Sequence, residues 1–334
     1  MLCVWYADRP LSPIDDIQGT AACALSGLLA SARITGQSTR EQRYLFLGAG
    51  EAGMGIAHLL RQQLREDGIP NHMIDEKINF FDAEGLICAD RVGELEPDHE
   101  AFAHDLPPTK SFAEAVRSVR PTTIIGVAGA GPLFTQEVLE EMAEINDRPI
   151  IFALSNPTSK AECTANEAYS HTKGRAIYAT GSPQEPVEIT EGEYAGQILH
   201  PGQGNNVYIF PGVAMAAVLS GVRHIPAKAF LIAAQTVAQC VSIEEINRGQ
   251  VYPDLEKIRH VSIEVAANVM DYIYSAPSSE SLASFLPEPV DKRAYIEKHC
   301  YDTDYAHLAP SLWTWPGEQD RTLNKAKSYS KIRL

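Results

Sequence analysis

The chain has 334 residues, of which 45% are hydrophobic and 21% charged, and its formal net charge at pH 7 is −15. This length and composition predict a globular chain with room for one large domain or two smaller ones. The negative charge argues against nucleic acid as a partner, and no apolar run reaches the roughly 18 residues of a membrane-spanning helix.

The six cysteines occur singly, without CxxC or any Cys/His ligand spacing. This pattern is typical of reduced thiols, so we expect an intracellular protein without disulfides or structural zinc. The sequence does not distinguish cytoplasm from mitochondrion. Residues 1–13 have neither the basic start nor the apolar stretch of a signal peptide and form an unassigned leader.

Short apolar strands alternate with helices from residue 18 to about residue 180. The predicted strands are residues 43–47, 77–81, 122–127, 150–154 and 176–180, and the predicted helices are residues 18–34, 54–66, 112–119, 133–145 and 164–170. Such an alternation indicates an α/β fold with a doubly wound, Rossmann-like parallel sheet covered on both faces. Ligands are then expected at the carboxyl ends of the strands.

The pattern becomes helical after Gly212, with segments near residues 213–221, 227–241 and 254–274. We expect these segments to form a helical C-terminal cap on the sheet. The remaining residues, 286–334, are rich in proline, tyrosine and charge and are predicted to form an extended arm. The predicted organisation is therefore a leader (1–13), one α/β domain with its cap (14–285) and an arm (286–334).

The sharpest local signal is a GxGxxG motif between a predicted strand and a predicted helix. It comprises Gly48, Ala49, Gly50, Glu51, Ala52 and Gly53. The three glycines permit a tight turn, close approach of backbone to a pyrophosphate, and close helix–strand packing. Free N–H groups at the helix N-terminus would then face the phosphates. This context favours a dinucleotide site over an ordinary glycine-rich turn.

Asp82 ends the next strand and is the candidate partner of the ribose hydroxyls. It lies 29 residues beyond Gly53 rather than about 20, an excess that fits the loop preceding the strand. A carboxylate would repel the 2′-phosphate of NADP, and residues 92–101 contain neither Lys nor Arg. We therefore expect NAD, with NADP possible. The alternative for Asp82 is a solvated turn residue.

Three other segments carry polar residues where ligands could bind. Asp15 and Asp16 precede the first predicted helix, as N-caps or as carboxylates near a divalent cation. Asn156 follows a buried strand, and Asn205 and Asn206 lie among glycines. Amides can donate to a carboxylate without adding charge, although a turn or a loop brace explains them equally. No histidine stands in a pattern that suggests catalysis.

Several segments together resemble the malic enzyme family. They are DDIQGTAA, FLGAGEAGMGIA, PIIFALSNPTSKAECTANEAY, GSPQEPVEI, PGQGNNVYIFPG, VSIEVAANVMDYIY and a WPG ending at residue 317. The resemblance covers residues 14–317 and corresponds to the nucleotide-binding and C-terminal part of that family. It implies oxidation of L-malate by NAD or NADP with Mg²⁺ or Mn²⁺, followed by decarboxylation to pyruvate and CO₂.

The resemblance also implies roles for individual residues. Asp16 corresponds to a metal-ligand carboxylate, and Asp15 to its neighbour in the catalytic network. The Gly48–Gly53 loop and Asp82 correspond to the nucleotide site. Asn156, Asn205 and Asn206 correspond to asparagines that hold the substrate carboxylate and the nicotinamide. The family also suggests a homo-oligomer, or pairing with a full-length paralogue.

The 334 residues depart from the family pattern in one large respect. The family's tyrosine general acid, lysine general base, malate-binding arginine and Glu-Asp metal pair belong to segments that this sequence does not contain. The usual asparagine before the two aspartates is replaced by Ile14. Loss of general acid–base groups typically costs about 10²–10⁴-fold in rate, so we expect impaired catalysis by this chain alone.

Three alternatives remain open at this stage. The same scaffold could carry out malolactic chemistry, with lactate as product. The chain could be a non-catalytic nucleotide-binding or subunit-interaction module. An amino-acid dehydrogenase shares the glycine loop, but the SNPT and GQGNN segments disfavour it.

Overall fold

The computed structural model describes residues 14–222, 225–275 and 286–301, with side chains from Ile17 onward. The strands are β1 (Tyr44–Leu47), β2 (Ile78–Asp82), β3 (Gly85–Leu86), β4 (Thr123–Gly126), β5 (Ile150–Ala153), β6 (Ile177–Thr180), β7 (Val187–Glu188), β8 (Ile198–Leu199) and β9 (Gly202–Gln203). The helices are α1 (Ile14–Thr35), α2 (Glu51–Glu66), α3 (Asn71–Ile74), α4 (Pro97–Glu100), α5 (Phe112–Val119), α6 (Gln136–Ile145), α7 (Ala165–His171), α8 (Phe210–Ser220), α9 (Ala227–Cys240), α10 (Ile243–Asn247), α11 (Ile258–Ser275) and α12 (Lys292–His299).

The main sheet has the strand order β3-β2-β1-β4-β5-β6-β9. Its strands are parallel except for β3, which pairs antiparallel with β2 at one edge. The predicted doubly wound, Rossmann-like parallel sheet is therefore confirmed. Strand β1 lies between β2 and β4, so the strand order reverses there. The loops after β1 and β4 consequently flank the crevice where such sheets bind ligands.

Alternating side chains of β1 supply the two faces of the sheet. Leu45 and Leu47 join a buried cluster with residues of α5, α6 and α7. Phe46 points to the opposite face, as the period of two requires, and stacks on Phe80 with ring centroids 4.7 Å apart. All four β1 residues are buried, which explains the continuous apolar run in the sequence.

Helix α1 joins the sheet domain to the helical C-terminal region. It packs against α2 and α9, and α11 packs against α8 and α9. Close approach depends on small residues: a Cβ at Gly55 of α2 would lie only 2.5 Å from Cγ2 of Ile17 in α1. The predicted helical cap is therefore confirmed. No helix in the described ranges is both long and apolar enough to cross a membrane.

Two boundaries differ from the sequence prediction. Helix α1 begins at Ile14 rather than Gln18, so Asp15 and Asp16 lie inside its first turn, where acidic residues suit the helix dipole. The predicted extended arm contains α12, where Asp291 caps Ala294 (Oδ1–N 3.0 Å) and Ile296 is buried.

The predicted leader, residues 1–13, and the arm beyond Tyr301 lie outside the described residues. The compact unit of the chain extends to Ile296, and of the residues after it the structure describes 297–301. The three-part domain organisation thus stays a prediction.

Candidate functional site

The glycine loop connects β1 to α2 as the motif requires. Gly48 has φ = +111°, and a Cβ there would lie 2.9 Å from the Ala128 backbone. A Cβ at Gly53 would lie 2.5 Å from the carbonyl oxygen of Gly48. Both glycines are therefore required by the protein's own packing.

Gly50 has a different environment, and it is the glycine that points to a ligand. No described atom beyond its chain neighbours lies within 4 Å of a Cβ built at this residue. Gly50 is also the N-cap of α2, and among the described residues no side chain accepts from the first N–H groups of that helix. A helix N-terminus with open space in front of it is suited to an anion such as a pyrophosphate.

A cleft of about 520 Å³ lies in front of the loop; we call it the glycine-loop cleft. Its lining residues are Leu47, Gly48, Ala49, Gly50, Phe81, Asp82, Ala83, His99, Val127, Ala128, Ala130 and Leu133. Apart from His99, which lies in α4, they come from the ends of β1, β2 and β4 and the loops that follow, as expected at the reversal of strand order. The loop, the cleft and Asp82 together fit a dinucleotide.

Asp82 lines this cleft, but much of its hydrogen-bonding capacity is already used. Its Oδ1 accepts from the N–H groups of Glu84 (2.8 Å) and Gly85 (3.1 Å) and from Arg91 Nη1 (2.9 Å). Among the described residues, Oδ2 accepts only from Arg91 Nη2 (2.8 Å). Oδ2 therefore keeps acceptor capacity for a ligand hydroxyl.

The Asp82 carboxylate is stabilised in its charged form. Burial acts to raise its pKa, but the Arg91 guanidinium and the two backbone N–H groups outweigh burial and hold the pKa below its usual value. Arg91 immediately precedes residues 92–101, which contain neither Lys nor Arg.

His99 also lines the cleft and was not among the predicted site residues. Its Nε2 lies 2.8 Å from the carbonyl oxygen of Ala49, so the protein places an imidazole against the glycine loop. From the sequence alone, residues 90–109, which contain His99, are predicted to form a polar loop. Pro97 at the start of α4 was the available signal, because proline is favoured in a first helical turn.

A second cavity, of about 190 Å³, collects the predicted asparagines; we call it the amide cavity. Its lining residues are Thr20, Cys23, Ala24, Leu154, Asn156, Gly181, Gly204, Asn205, Asn206 and Tyr252. Asn156, Asn205 and Asn206 are thus brought together from positions far apart in the sequence. Thr20, Cys23 and Ala24 add one wall from α1.

The amide of Asn156 has a defined orientation. The hydroxyl of Ser182 donates to Asn156 Oδ1 at 2.6 Å, which leaves Nδ2 as the group available to donate to a ligand. Gly181 leaves room for this amide, because a Cβ there would lie 2.7 Å from that Nδ2. Ser182 was not predicted, because a single serine after a strand carries no recognisable pattern.

The two consecutive asparagines differ in their contacts. Asn205 Oδ1 accepts from the N–H of Val207 (2.9 Å) and so caps a short helical turn. That contact agrees with the loop-brace alternative. Asn206 Nδ2 donates to Thr20 Oγ1 at 3.4 Å, a long hydrogen bond that leaves the second amide hydrogen for a ligand.

The predicted metal residues precede Thr20, a wall residue of this cavity, along α1. Asp16 is one helical turn before Thr20, and Asp15 is its neighbour, but the side chains of both lie outside what the structure describes. Within the described side chains, no group of three His, Cys, Asp or Glu residues could hold a metal ion. The described residues therefore provide no metal-ligand set.

Comparison with known proteins places these features in one family. Residues 17–274 match the family model described as malic enzyme, NAD binding domain. The chain is 47% identical over 304 residues to the human mitochondrial NADP-dependent malic enzyme, covering 91% of this chain and 49% of that protein. It is 43% identical over 315 residues to the mitochondrial NAD-dependent malic enzyme of Ascaris suum, covering 94% and 47% respectively.

Solved structures show the same fold. The Entamoeba histolytica malic enzyme aligns with a TM-score of 0.65 at 21% identity, covering 85% of this chain and 52% of that one. The Pyrococcus horikoshii malic enzyme aligns with a TM-score of 0.63 at 22% identity, covering 85% and 58%. The chain spans about half the length of the curated relatives it matches. It belongs to the malic enzyme family.

Proposed function

We propose that the chain binds NAD in the glycine-loop cleft and a small dicarboxylic acid in the amide cavity. Its reaction is then the oxidative decarboxylation of L-malate to pyruvate and CO₂. The observation that carries this proposal is the meeting of Asn156 and Asn206 with Thr20 in one cavity. This cavity lies at the carboxyl ends of β5, β6 and β9, along the same edge of the sheet as the ends of β1, β2 and β4 that border the glycine-loop cleft.

Each part of the dinucleotide has a candidate partner in the cleft. The free N–H groups of α2 beside Gly50 receive the pyrophosphate. Asp82 Oδ2 accepts from a ribose hydroxyl, since its acceptor capacity is not filled by Arg91. When bound, the nicotinamide accepts the hydride that the 2-hydroxy acid releases.

The amide cavity supplies neutral donors for the substrate. Asn156 Nδ2 and Asn206 Nδ2 donate to a carboxylate, or to the nicotinamide carboxamide, without bringing a positive charge. Asn205 contributes its own Nδ2, while its Oδ1 holds the backbone. Because the Asn156 amide is fixed by Ser182, its donor is oriented before the ligand arrives, which lowers the entropic cost of binding.

A divalent cation, Mg²⁺ or Mn²⁺, is part of the proposal through Asp16. Carboxylate oxygen is the ligand both ions prefer, and Asp16 lies one turn from Thr20 on the helix that forms a wall of the amide cavity. Asp15, next to it, is the proposed catalytic neighbour. The described side chains do not supply the remaining ligands.

The cleft favours NAD over NADP. Beside the proposed ribose position, the charge of Arg91 is balanced by Asp82 in a bidentate pair. The pair offers no net positive charge to a 2′-phosphate, and Asp82 Oδ2 repels it. The relatives include both NADP-dependent and NAD-dependent enzymes, so a direct comparison of the two dinucleotides decides this point.

We propose that the 334-residue polypeptide binds dinucleotide and, as the family resemblance implies, turns malate over slowly on its own. Assembly as a homo-oligomer, or with a full-length malic enzyme subunit, would supply further groups. An intracellular location remains part of the proposal, and the mitochondrial names belong to the relatives.

The test is to incubate the purified chain at high concentration with malate, NAD⁺ and Mn²⁺ and to measure NADH, pyruvate and lactate. We expect saturable NAD⁺ binding and slow formation of pyruvate. Turnover equal to that of a full-length malic enzyme would contradict the impairment, and lactate as product would favour malolactic chemistry. Absence of dinucleotide binding would contradict the proposed function.

A further inference from the structure

A buried carboxylate lies between the glycine-loop cleft and the amide cavity. Glu162 has no exposed surface, and its Oε1 accepts a hydrogen bond from the hydroxyl of Ser155. The same Ser155 oxygen accepts from the N–H of Gly129 at 2.9 Å. A continuous chain of hydrogen bonds therefore runs from Gly129 through Ser155 to Glu162.

The two ends of this chain belong to different candidate sites. Gly129 lies in the loop after β4, between Ala128 and Ala130, which line the glycine-loop cleft. Ser155 lies in the loop after β5, between Leu154 and Asn156, which line the amide cavity. The Ser155 hydroxyl and the Glu162 carboxylate thus connect the loop after β4 to the loop after β5.

The surrounding backbone is built around the Glu162 side chain. A Cβ at Gly126, the last residue of β4, would lie 2.3 Å from Glu162 Cδ, so this strand end has no side chain where the carboxylate sits. The Glu162 carbonyl oxygen accepts from the N–H of Phe134 at 3.0 Å, which attaches the segment leading into α6.

Glu162 has no cationic partner among the described salt bridges. Burial raises its pKa, while the Ser155 hydroxyl and the backbone N–H groups of Ser155 and Ala128 act in the opposite direction. A buried carboxyl group without a cation is costly, and an apolar side chain would serve packing alone better. Its acceptor oxygens, however, can hold donors from both loops.

We infer that Glu162 is a positioning residue which, through Ser155, fixes the wall of the glycine-loop cleft relative to the backbone that carries Asn156. The coupling of the two loops rests on geometry alone. Its consequence, that dinucleotide and substrate are held in a fixed relative position, rests on the proposed function.

Three variants separate positioning from simple stabilisation. Glu162→Leu fills the space but accepts no hydrogen bond, Glu162→Gln keeps an acceptor for Ser155, and Ser155→Ala removes the link and leaves the carboxylate. The matched control is Glu245→Gln, because Glu245 is equally buried and hydrogen-bonded but lines neither site. If a Glu162 variant does not fold, Ser155→Ala still tests the link between the two loops.

The first measurement is amide hydrogen exchange of the ligand-free chain, read at Gly129, whose N–H donates to Ser155 Oγ, and at residue 155, whose N–H donates to Glu162 Oε2. We expect Glu162→Leu and Ser155→Ala to raise exchange at both amides by about tenfold or more, with partial rescue by Glu162→Gln and no local change in Glu245→Gln. Unchanged exchange at either amide in both variants would overturn the inference. So would an increase that Glu245→Gln reproduces.

The second measurement is the Kd for NAD⁺ in the same proteins. We expect an increase of about fivefold or more in Glu162→Leu and Ser155→Ala, beyond any change in Tm, and less than about twofold in the control. An unchanged Kd in both variants would overturn the functional consequence. If the unaltered chain binds no NAD⁺, the proposed function fails, while the exchange at Gly129 and at residue 155 still decides the coupling.

Discussion

Asp82 and Arg91 form a bidentate ion pair at the border of the glycine-loop cleft, with Nη2–Oδ2 at 2.8 Å and Nη1–Oδ1 at 2.9 Å. The pair converts a cation that could bind a 2′-phosphate into a neutral unit. Coenzyme choice is therefore expected to depend on whether Arg91 is paired, and not only on the presence of an acidic residue at the end of β2.

Replacing Asp82 with serine should shift the coenzyme preference toward NADP⁺. The neutral serine hydroxyl would no longer repel the 2′-phosphate, and the unpaired Arg91 guanidinium would attract it. We expect the ratio of the NADP⁺ and NAD⁺ dissociation constants to fall by about tenfold or more, a difference of about 1.4 kcal/mol. Isothermal titration with both dinucleotides measures this ratio.

The Arg61–Asp75 pair offers a matched control. It has similar geometry, at 2.8 Å, and similar side-chain exposure, 19% and 27% against 18% and 25% for Arg91 and Asp82. It does not line the cleft. Asp75→Ser should leave the preference unchanged, and an equal shift in both variants would show that the effect is not local.

Alanine substitutions at two glycines of the loop should affect the stability of the fold and the affinity for NAD⁺ differently. Gly50→Ala adds a methyl group to open space, so we expect a loss of stability below about 1 kcal/mol but at least about a tenfold weaker affinity for NAD⁺. Gly53→Ala forces a Cβ to within 2.5 Å of the Gly48 carbonyl oxygen and should destabilise the fold by about 1–3 kcal/mol. Denaturation and NAD⁺ titration of both variants check the contrast, which fails if Gly50→Ala binds normally.

The amide cavity should lose its ligand when the Asn156 donor is removed or misdirected. In the presence of saturating NAD⁺, we expect Asn156→Ala to abolish stabilisation by malate. Ser182→Ala should reduce it, because the amide is then free to rotate. Thermal denaturation with and without malate measures this stabilisation. Asn71→Ala is the control, since Asn71 contacts Arg65 at the surface; equal losses in all three proteins would contradict the assignment.

Glu245 should make the stability of the fold depend on pH in the acidic range. Burial acts to raise the pKa of this carboxylate, but the Lys257 ammonium and the N–H groups of Asp254 and Ser242 outweigh burial and lower the pKa to about 2. A depressed pKa contributes stability above the unfolded value of 4.5. That contribution is lost as pH falls from 4.5 toward 2.

We expect Glu245→Gln to lower the free energy of unfolding at pH 7 by about 2 kcal/mol, a value reduced for the solvent that reaches Lys257. The loss should become smaller at pH 3, because wild-type protein has by then lost part of the same contribution. Urea denaturation at both pH values measures the difference. Glu256→Gln, an exposed neighbour, should behave like wild type, and a loss independent of pH would contradict the mechanism.

Features with a strong local pattern were predictable from the sequence. The strands of the parallel sheet are short and wholly buried, so their apolar runs were clear, and the glycine loop carries its own geometric requirement. The meeting of Asn156 with Asn206 followed from the family resemblance and from the rule that ligands bind at strand ends, not from spacing.

Other features depend on tertiary contacts that leave no local signal. Arg91 pairs with Asp82 because the chain turns back after β3. His99 reaches Ala49 across 50 residues of sequence. Glu162 reads as one more polar residue in a turn, and only the fold shows that it is buried between two loops. Helix α12 was predicted as an extended arm because its eight residues have a weak apolar pattern, with Ile296 as the one buried residue.

Hydrogen exchange of the purified chain with and without saturating NAD⁺ tests whether the dinucleotide binds in the glycine-loop cleft. We predict slower exchange in the Gly48–Gly53 loop and in the loop after β4, and smaller protection near Asn156. In Gly50→Ala, NAD⁺ should no longer fully protect these segments from exchange. Saturable NAD⁺ binding with protection elsewhere on the chain, or no binding at all, would contradict the account.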